Sequence, residues 1–405
     1  MDTSRVWAEI DLDALAHNLE TIRRRIDPDV AIILVAKADA YGHGAVAVAH
    51  HAVSCGVAAI GVGTATEALN LRRAGIRARI LVLGTIVDEE VRDVLEHDVE
   101  IGLHSSDRCR RLQSAAARLG RRGRVHLNVD TGMGRLGVLP ERAIELLRMV
   151  STSPNLELVG VMTHIASSEG ARAPSTARQL ECFEACLARA REEDLLPDSA
   201  WIHAANSACV LSGVRPLYDA VRTGIAAYGI APAPLEGVEE LRPVLSLRTK
   251  VVFLKDIPRG TSVGYEGEWT APRRSRIVTL PIGYDDGLPF RLGGRGAVLI
   301  RGRRAPLVGR ISMDYATADV TGIAGIRVGD VATLIGADGS ERIRTEDVAE
   351  LAGTIPYEVV CSVGERVGRV YRGGELEIHP AQPRRKPLFR PIRRAPAADP
   401  TPDQP

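Results

Sequence analysis

The 405-residue chain is poor in aromatic side chains, with Phe, Trp and Tyr together at 4%, so its core has to be built from Val, Leu, Ile and Ala. It also lacks an excess of either charge: 52 Lys and Arg stand against 51 Asp and Glu, a formal net charge of +1. That balance disfavours nucleic acid as the main partner, because neutralising phosphates requires a basic surface. Six cysteines without a Cys-x-x-Cys pair make no disulfide scaffold. Cys182 and Cys186 have no histidine nearby, so the thiols read as reduced and mostly buried, and no metal site is expected. No apolar run reaches the roughly 18 residues that a membrane-spanning helix requires. The segment Met1-Asp2-Thr3-Ser4-Arg5 lacks the basic and apolar regions of a signal peptide, which makes the cytoplasm the expected location. A Walker-type phosphate loop and internal repeats are absent as well.

What is present is ordinary globular material, 45% hydrophobic and 25% charged, in a chain long enough for two domains. Short β-rich runs alternate with helical patterns over the first ~230 residues. The expected strands are Ile32–Val35, Ala58–Val62, Ile80–Leu83, Val99–Leu103, Val125–Val129, Leu158–Met162, Trp201–His203 and Asp219–Val221. Eight such alternations predict an α/β fold with an N-terminal (β/α)8 barrel over residues 1–240; a doubly wound open sheet usually has fewer strands. From 241 to 379 helical periodicity gives way to strand-like runs such as Lys250–Leu254, Ile277–Leu280, Ala297–Ile300 and Val331–Ile335, punctuated by Gly, Pro and Arg. This predicts a C-terminal, predominantly β domain. Residues 380–405 hold eight prolines and six basic against two acidic side chains. They read as a disordered basic tail, with an anionic-partner tether as the functional alternative.

Lys37, His104, His164, Asn206 and Arg222 follow expected strands, and Asn128 stands at the end of one. In a barrel, the carboxyl ends of the strands build the active site. A lysine at such a position serves as a surface charge, a phosphate ligand or an amine nucleophile. The apolar strand before Lys37 favours a pocket, where desolvation lowers the amine's pKa and suits it to form a Schiff base with an aldehyde. In Asp130-Thr131-Gly132-Met133-Gly134-Arg135, the arginine either forks an oxygen anion or ends a tight turn in solvent. The segments His203-Ala204-Ala205-Asn206-Ser207 and Arg222-Thr223-Gly224-Ile225 follow strands seven and eight, the usual phosphate cradle of barrels. Ser207 and the amides near Gly224 suit a phosphate monoester. His43, His50 and His51 read as structural or exposed.

Taken together, Lys37, Arg135 and the last two barrel loops resemble the alanine racemase family of pyridoxal-phosphate enzymes. The resemblance runs from about Trp7 to Tyr371. It continues through Val263-Gly264-Tyr265, Leu280-Pro281-Ile282-Gly283-Tyr284-Asp285-Asp286-Gly287, Val308-Gly309-Arg310-Ile311-Ser312-Met313-Asp314 and Ile355-Pro356-Tyr357-Glu358.

The resemblance implies that Lys37 carries pyridoxal 5'-phosphate and that Lys37 and Tyr265 are the catalytic bases on opposite faces of the substrate. Tyr265 would come from the partner subunit of a homodimer. Tyr41, Ser207, Gly224, Ile225 and Tyr357 would hold the phosphate, with His164 beside the ring and Asn206 in the same cofactor-binding loops. Arg135 would contact the phenolic oxygen and substrate, and the Met313 amide the substrate carboxylate. Arg222 would face the pyridine nitrogen; because a guanidinium only donates, that nitrogen stays an unprotonated acceptor, which disfavours transamination. Glu266 stands where the family often has glycine. Asn128 stands where many members have a carbamylated lysine, and a small anion such as chloride is expected to replace its charge.

The implied function is interconversion of L- and D-alanine, supplying D-alanine for peptidoglycan. The competing readings are a serine or broader-specificity racemase, a decarboxylase of the same barrel type, and a non-catalytic pyridoxal-phosphate-binding protein. The last is disfavoured by the second domain that carries Tyr265.

Overall fold

The structure is a computed structural model that describes residues 5–374 apart from Ser168, Ala233, Pro234, Glu236 and Gly237. The expected tail at 380–405 lies outside the described residues. In chain order the first nine strands are β1 (Val6–Asp11), β2 (Ala31–Val35), β3 (Ala59–Val62), β4 (Arg79–Val82), β5 (Glu100–Leu103), β6 (Gly123–Asn128), β7 (Leu156–Met162), β8 (Trp201–His203) and β9 (Ala220–Thr223). Strands β2 to β9 pair in parallel as one eight-stranded sheet, with β9 beside β2. Its two ends meet where the Asp219 amide donates to Ile202 O at 3.0 Å and the Arg222 amide to Ala205 O at 2.9 Å. The expected (β/α)8 barrel is therefore present.

Side-chain alternation along these strands separates two interiors. Ile32, Leu34, Ile60, Ile80, Val82, Ile101, Leu103, Val125 and Leu127 point outward into the main core beneath the helices. Ile33, Ala59 and Ala220 form a separate small cluster. On the same alternation the inward positions of later strands carry Arg79, Glu100, His126, Asn128, His203 and Arg222, so part of the barrel's interior is polar. The surrounding helices have the ends their sequences specify. Thr64 and Glu67 form a reciprocal capping box at Ala65–Arg73, and Asp11 accepts from the Ala14 amide at the start of Leu12–Arg23.

Beyond the barrel the fold is mainly β, as expected. One sheet runs Arg303–Pro306, Ala297–Ile300, Val331–Asp338, Leu245–Lys250, β1, Gly368–Arg372, with Glu341–Ile343 also pairing with Val331–Asp338. A second holds Phe253–Ile257, Ser275–Leu280 and Ala316–Asp319. Two details differ from the sequence reading. The run expected at Lys250–Leu254 is split, because the chain leaves one sheet at Lys250 and enters the other at Phe253. Strand β1, which precedes the barrel, joins the later sheet between Leu245–Lys250 and Gly368–Arg372. Among the described residues no helix is long and apolar enough to cross a membrane.

Candidate active site

A cavity of about 260 Å³ opens at the carboxyl ends of the barrel strands. Ten of the twelve residues expected to bind cofactor or substrate or to act as bases line it: Lys37, Tyr41, Arg135, His164, Asn206, Ser207, Arg222, Gly224, Ile225 and Tyr357. Asn128 lines it too. His104 does not; it stands behind Asn128, its Nε2 3.0 Å from Gly84 O. Tyr265 and Met313 lie outside the lining of this cavity and are 68% and 52% exposed.

Lys37 opens an unusual turn. Ala38, Asp39, Ala40 and Tyr41 have φ of 51°, 54°, 55° and 54°, a left-handed helical turn built without glycine. L-residues resist that conformation by about 1–2 kcal/mol each. Local bonds hold it: the Ala38 amide donates to Glu67 Oε1 at 2.7 Å and the Ala45 amide to Asp39 Oδ1 at 2.8 Å. Behind the turn, the Tyr41 ring lies 5.1 Å from that of Tyr228 and 6.0 Å from that of Tyr357. Tyr228 is buried and donates to Val35 O at 3.0 Å. The Lys37 amine is reached from the cavity, yet the walls around it and the neighbouring Arg135 hold its pKa below the usual lysine range.

Opposite the turn is a concave pocket of small groups. Ser207 Oγ accepts from the Gly224 amide at 3.0 Å, which ties the two loops together. A Cβ added at Gly224 would stand 2.6 Å from Tyr41 Oη, so only glycine leaves that space open. Asn206 caps the helix Ser207–Leu211 by accepting from the Cys209 amide, and its Nδ2 donates to Ile165 O at 3.1 Å. Burial holds the Tyr357 hydroxyl at a pKa of about 12 and raises that of Tyr41 further, so both are protonated donors at neutral pH.

Arg222 is buried, and its acceptors are neutral: His203 Nδ1 at 2.7 Å, His203 O at 2.9 Å, Thr163 O at 2.6 Å and Ala204 O at 3.0 Å. Asp130 is the one carboxylate among the described lining residues. Its Oδ1 is occupied by the amides of Gly132, Met133 and Gly134 at 2.9–3.0 Å, which shape the loop that presents Arg135. Burial, with Arg222, Arg135 and Lys37 adding repulsion, lowers His164 to about 3, so its ring is neutral.

Asn128 Nδ2 donates to Leu136 O at 3.2 Å, and the Arg135 side chain has no hydrogen-bonding or ionic partner among the described residues. Sequence reasoning missed Gln179, which is buried and stitches the site's rim. It donates to Thr131 Oγ1 at 3.2 Å and His164 O at 3.1 Å and accepts from the Ala166 amide at 3.0 Å. Its place on the helix Pro174–Glu192 carries no motif that would have marked it.

On the second region, Tyr265 begins a turn in which Glu266 has φ 59°. The left-handed position that glycine would favour is thus filled by glutamate. Arg310 Nη2 meets Glu268 at 2.6 Å and braces the same turn.

Comparison with known proteins follows the two regions. The family model for the alanine racemase N-terminal domain matches residues 10–232, and that for the alanine racemase C-terminal domain matches residues 244–371. The chain is 41% identical over 377 residues to an alanine racemase of Geobacter sulfurreducens, covering 92% of this chain and 98% of the relative. It is 42% identical over 372 residues to one of Symbiobacterium thermophilum, covering 91% and 97%. Among solved structures, the alanine racemase of Bacillus anthracis with bound L-Ala-P superposes with a TM-score of 0.85 at 34% identity, covering 92% of this chain and 96% of that one. That of D-cycloserine-producing Streptomyces lavendulae gives 0.87 at 36%, covering 92% and 98%.

Proposed function

The chain belongs to the alanine racemase family, and from that premise we propose that it interconverts L-alanine and D-alanine with pyridoxal 5'-phosphate as cofactor, supplying D-alanine for peptidoglycan. The observation that carries the reading is one cavity joining an amine of lowered pKa, a pocket open only because residue 224 is glycine, and a buried guanidinium with no carboxylate partner.

These groups fit the cofactor. Lys37 would hold its aldehyde carbon. Tyr41, Ser207, Gly224, Ile225 and Tyr357 would hold its phosphate, with His164 and Asn206 beside them. Arg135 would reach the phenolic oxygen, and Arg222 would donate to the pyridine nitrogen. Bound pyridoxal phosphate withdraws the electron pair left on the substrate's α-carbon when the proton departs. The protein moves the proton. Lys37 Nζ serves one face of the α-carbon and Tyr265 Oη the other, so a proton removed on one side is replaced from the opposite side. A donor-only Arg222 would leave that nitrogen unprotonated and so favour rapid proton return over transamination.

Residues 1–240 would form the cofactor-binding unit, and 241–379 the unit that supplies Tyr265 and the Met313 amide to a second subunit. The exposure of Tyr265, Met313 and Tyr315, and of the Tyr284 and Phe290 rings 6.4 Å apart, supports a homodimer, since large apolar side chains left in solvent favour a contact surface. The proposed location is the cytoplasm.

The test is polarimetry of L-alanine and L-serine with the purified, cofactor-loaded protein, with carbon dioxide release followed in parallel. Loss of rotation on alanine, faster than on serine and without carbon dioxide, is expected; faster turnover of serine or of a long side chain would reject the alanine assignment. Borohydride reduction followed by peptide mapping should place the cofactor on Lys37, and an adduct on another lysine would overturn that role.

A further inference from the structure

Five side chains form an unbroken polar chain through the barrel interior. Arg79 Nε meets Glu100 Oε1 at 2.7 Å, and Arg79 Nη2 meets Oε2 at 3.1 Å. Glu100 Oε2 is 2.8 Å from His126 Nε2, His126 Nδ1 is 2.9 Å from His203 Nε2, and His203 Nδ1 is 2.7 Å from Arg222 Nη1. Glu100, His126, His203 and Arg222 are 1%, 0%, 0% and 5% exposed. A Cβ at Gly160 on β7 would collide with the His126 ring, so the neighbouring strand is hollowed to admit it.

The donor inventory leaves this chain one arrangement of protons. Arginine only donates, so His203 Nδ1 accepts and its proton is on Nε2; that proton goes to His126 Nδ1, whose own proton is then on Nε2 and goes to Glu100. Read from the other end, an ionised carboxylate only accepts, and the same order results. Burial keeps both imidazoles neutral, with Glu100 and Arg79 acting in opposite directions on His126. Burial pushes Glu100 up, but its bonds from His126 and Arg79 outweigh that and hold it near 2.

We propose that Glu100, three links along this chain from Arg222, is a positioning residue for that arginine: acting through His126 and His203, it fixes the proton directions that keep the guanidinium aimed at the cofactor. The inference rests on the reading of Arg222 given above. An amide at position 100 would have one oxygen for the donors of Arg79 and His126, with Arg124 Nη2 a further 3.5 Å neighbour of Glu100 Oε1. If it turned its NH₂ to His126, the order would reverse and set an N–H of His203 against an N–H of Arg222.

The test is ¹⁵N spectroscopy of the histidine rings in the full-length protein, before and after saturation with pyridoxal phosphate, for wild type and Glu100→Gln. In wild type His126 and His203 should both be neutral with the proton on Nε2 in either state. An Nδ1–H or doubly protonated ring at either position would overturn the proposal, whether or not the variant folds. Glu100→Gln should lose the single tautomer, bind pyridoxal phosphate about tenfold more weakly and give more transamination per racemisation. A folded variant with wild-type ring signals, affinity and partition would also overturn it. The cofactor-free tautomers do not depend on Lys37 or on turnover, so a failed Lys37 adduct would reject the functional reading while leaving this result intact.

Discussion

The two regions that carry the proposed bases present them in opposite ways. Lys37 stands at the head of a left-handed turn fastened by Glu67 and Asp39 and backed by three tyrosine rings. Tyr265 stands in solvent on a short turn of the second region, braced by Arg310 and Glu268. In the proposed reading the first is finished within its own chain, whereas the second, outside the lining of the barrel cavity, would meet a substrate only in a partner molecule. If the proposed roles hold, the difference teaches that burial marks a cofactor site within one chain, whereas a group shared between subunits shows itself as an aromatic side chain left exposed.

The sharpest way to break this comparison is to inactivate each region separately. Lys37→Ala and Tyr265→Phe should each lower turnover by about a thousandfold or more. Unfolding and refolding the two variants together should restore about a quarter of wild-type activity, because half the dimers are mixed and each mixed dimer has one intact site of two. A mixture as inactive as its parents would show that each site draws both bases from one chain.

The next effect concerns the choice of reaction within the barrel. Arg222→Glu should lower racemisation and raise the ratio of transamination to racemisation about tenfold, since a carboxylate would let the pyridine nitrogen hold a proton. Pyridoxamine phosphate formed per alanine racemised measures that ratio, and an unchanged value would remove Arg222 from reaction choice.

Acid should then expose the barrel's dependence on neutral buried rings. Burial lowers His43 from 6.5 to about 4 and His164 to about 3, and also lowers His126 and His203. Below pH 6.5 the unfolded chain takes up protons that the folded one refuses, so stability falls with pH until the folded values are reached. Each such ring contributes about 1.4 kcal/mol per pH unit in that window. The melting temperature should therefore drop between pH 6.5 and 4.5, less steeply in His43→Phe than in wild type; parallel curves would contradict it.

The smallest effect is expected at Arg135, whose exposed side chain has no anionic partner among the described residues. Because Asn128 cannot be carbamylated, activity should not respond to bicarbonate but should respond, by about twofold, when chloride replaces a bulky anion at constant ionic strength, and identical rates would rule the anion out. A strong bicarbonate requirement would contradict this.

Much of the barrel was legible because its strands are short apolar runs closed by punctuation, and the reactive residues recur just after them. Lys37, Arg135 and Arg222 could be named on that phase, and the glycine at 224 on its loop. The left-handed turn was not legible: Ala38, Asp39, Ala40 and Tyr41 have no composition that signals positive φ, and the conformation is imposed by contacts with Glu67, Tyr228 and Tyr357. Glu100 and His126 were passed over because each looks like a polar interruption of a strand; only closure of the sheet brings them into line with His203 and Arg222. Strand β1 was missed because its partners are too far along the chain for any local window to include them.

That first strand has a consequence for how the molecule is made. Val6 pairs with Thr249 and Trp7 with Gly368, so these residues find their neighbours only once the chain out to 249 and 368 has been synthesised. At about 5–20 residues per second the wait is on the order of tens of seconds. Through that interval both edges of a largely apolar strand stand open, a natural handle for a chaperone and a point of vulnerability to aggregation. Gly368–Arg372 closes that interval when it pairs beside β1.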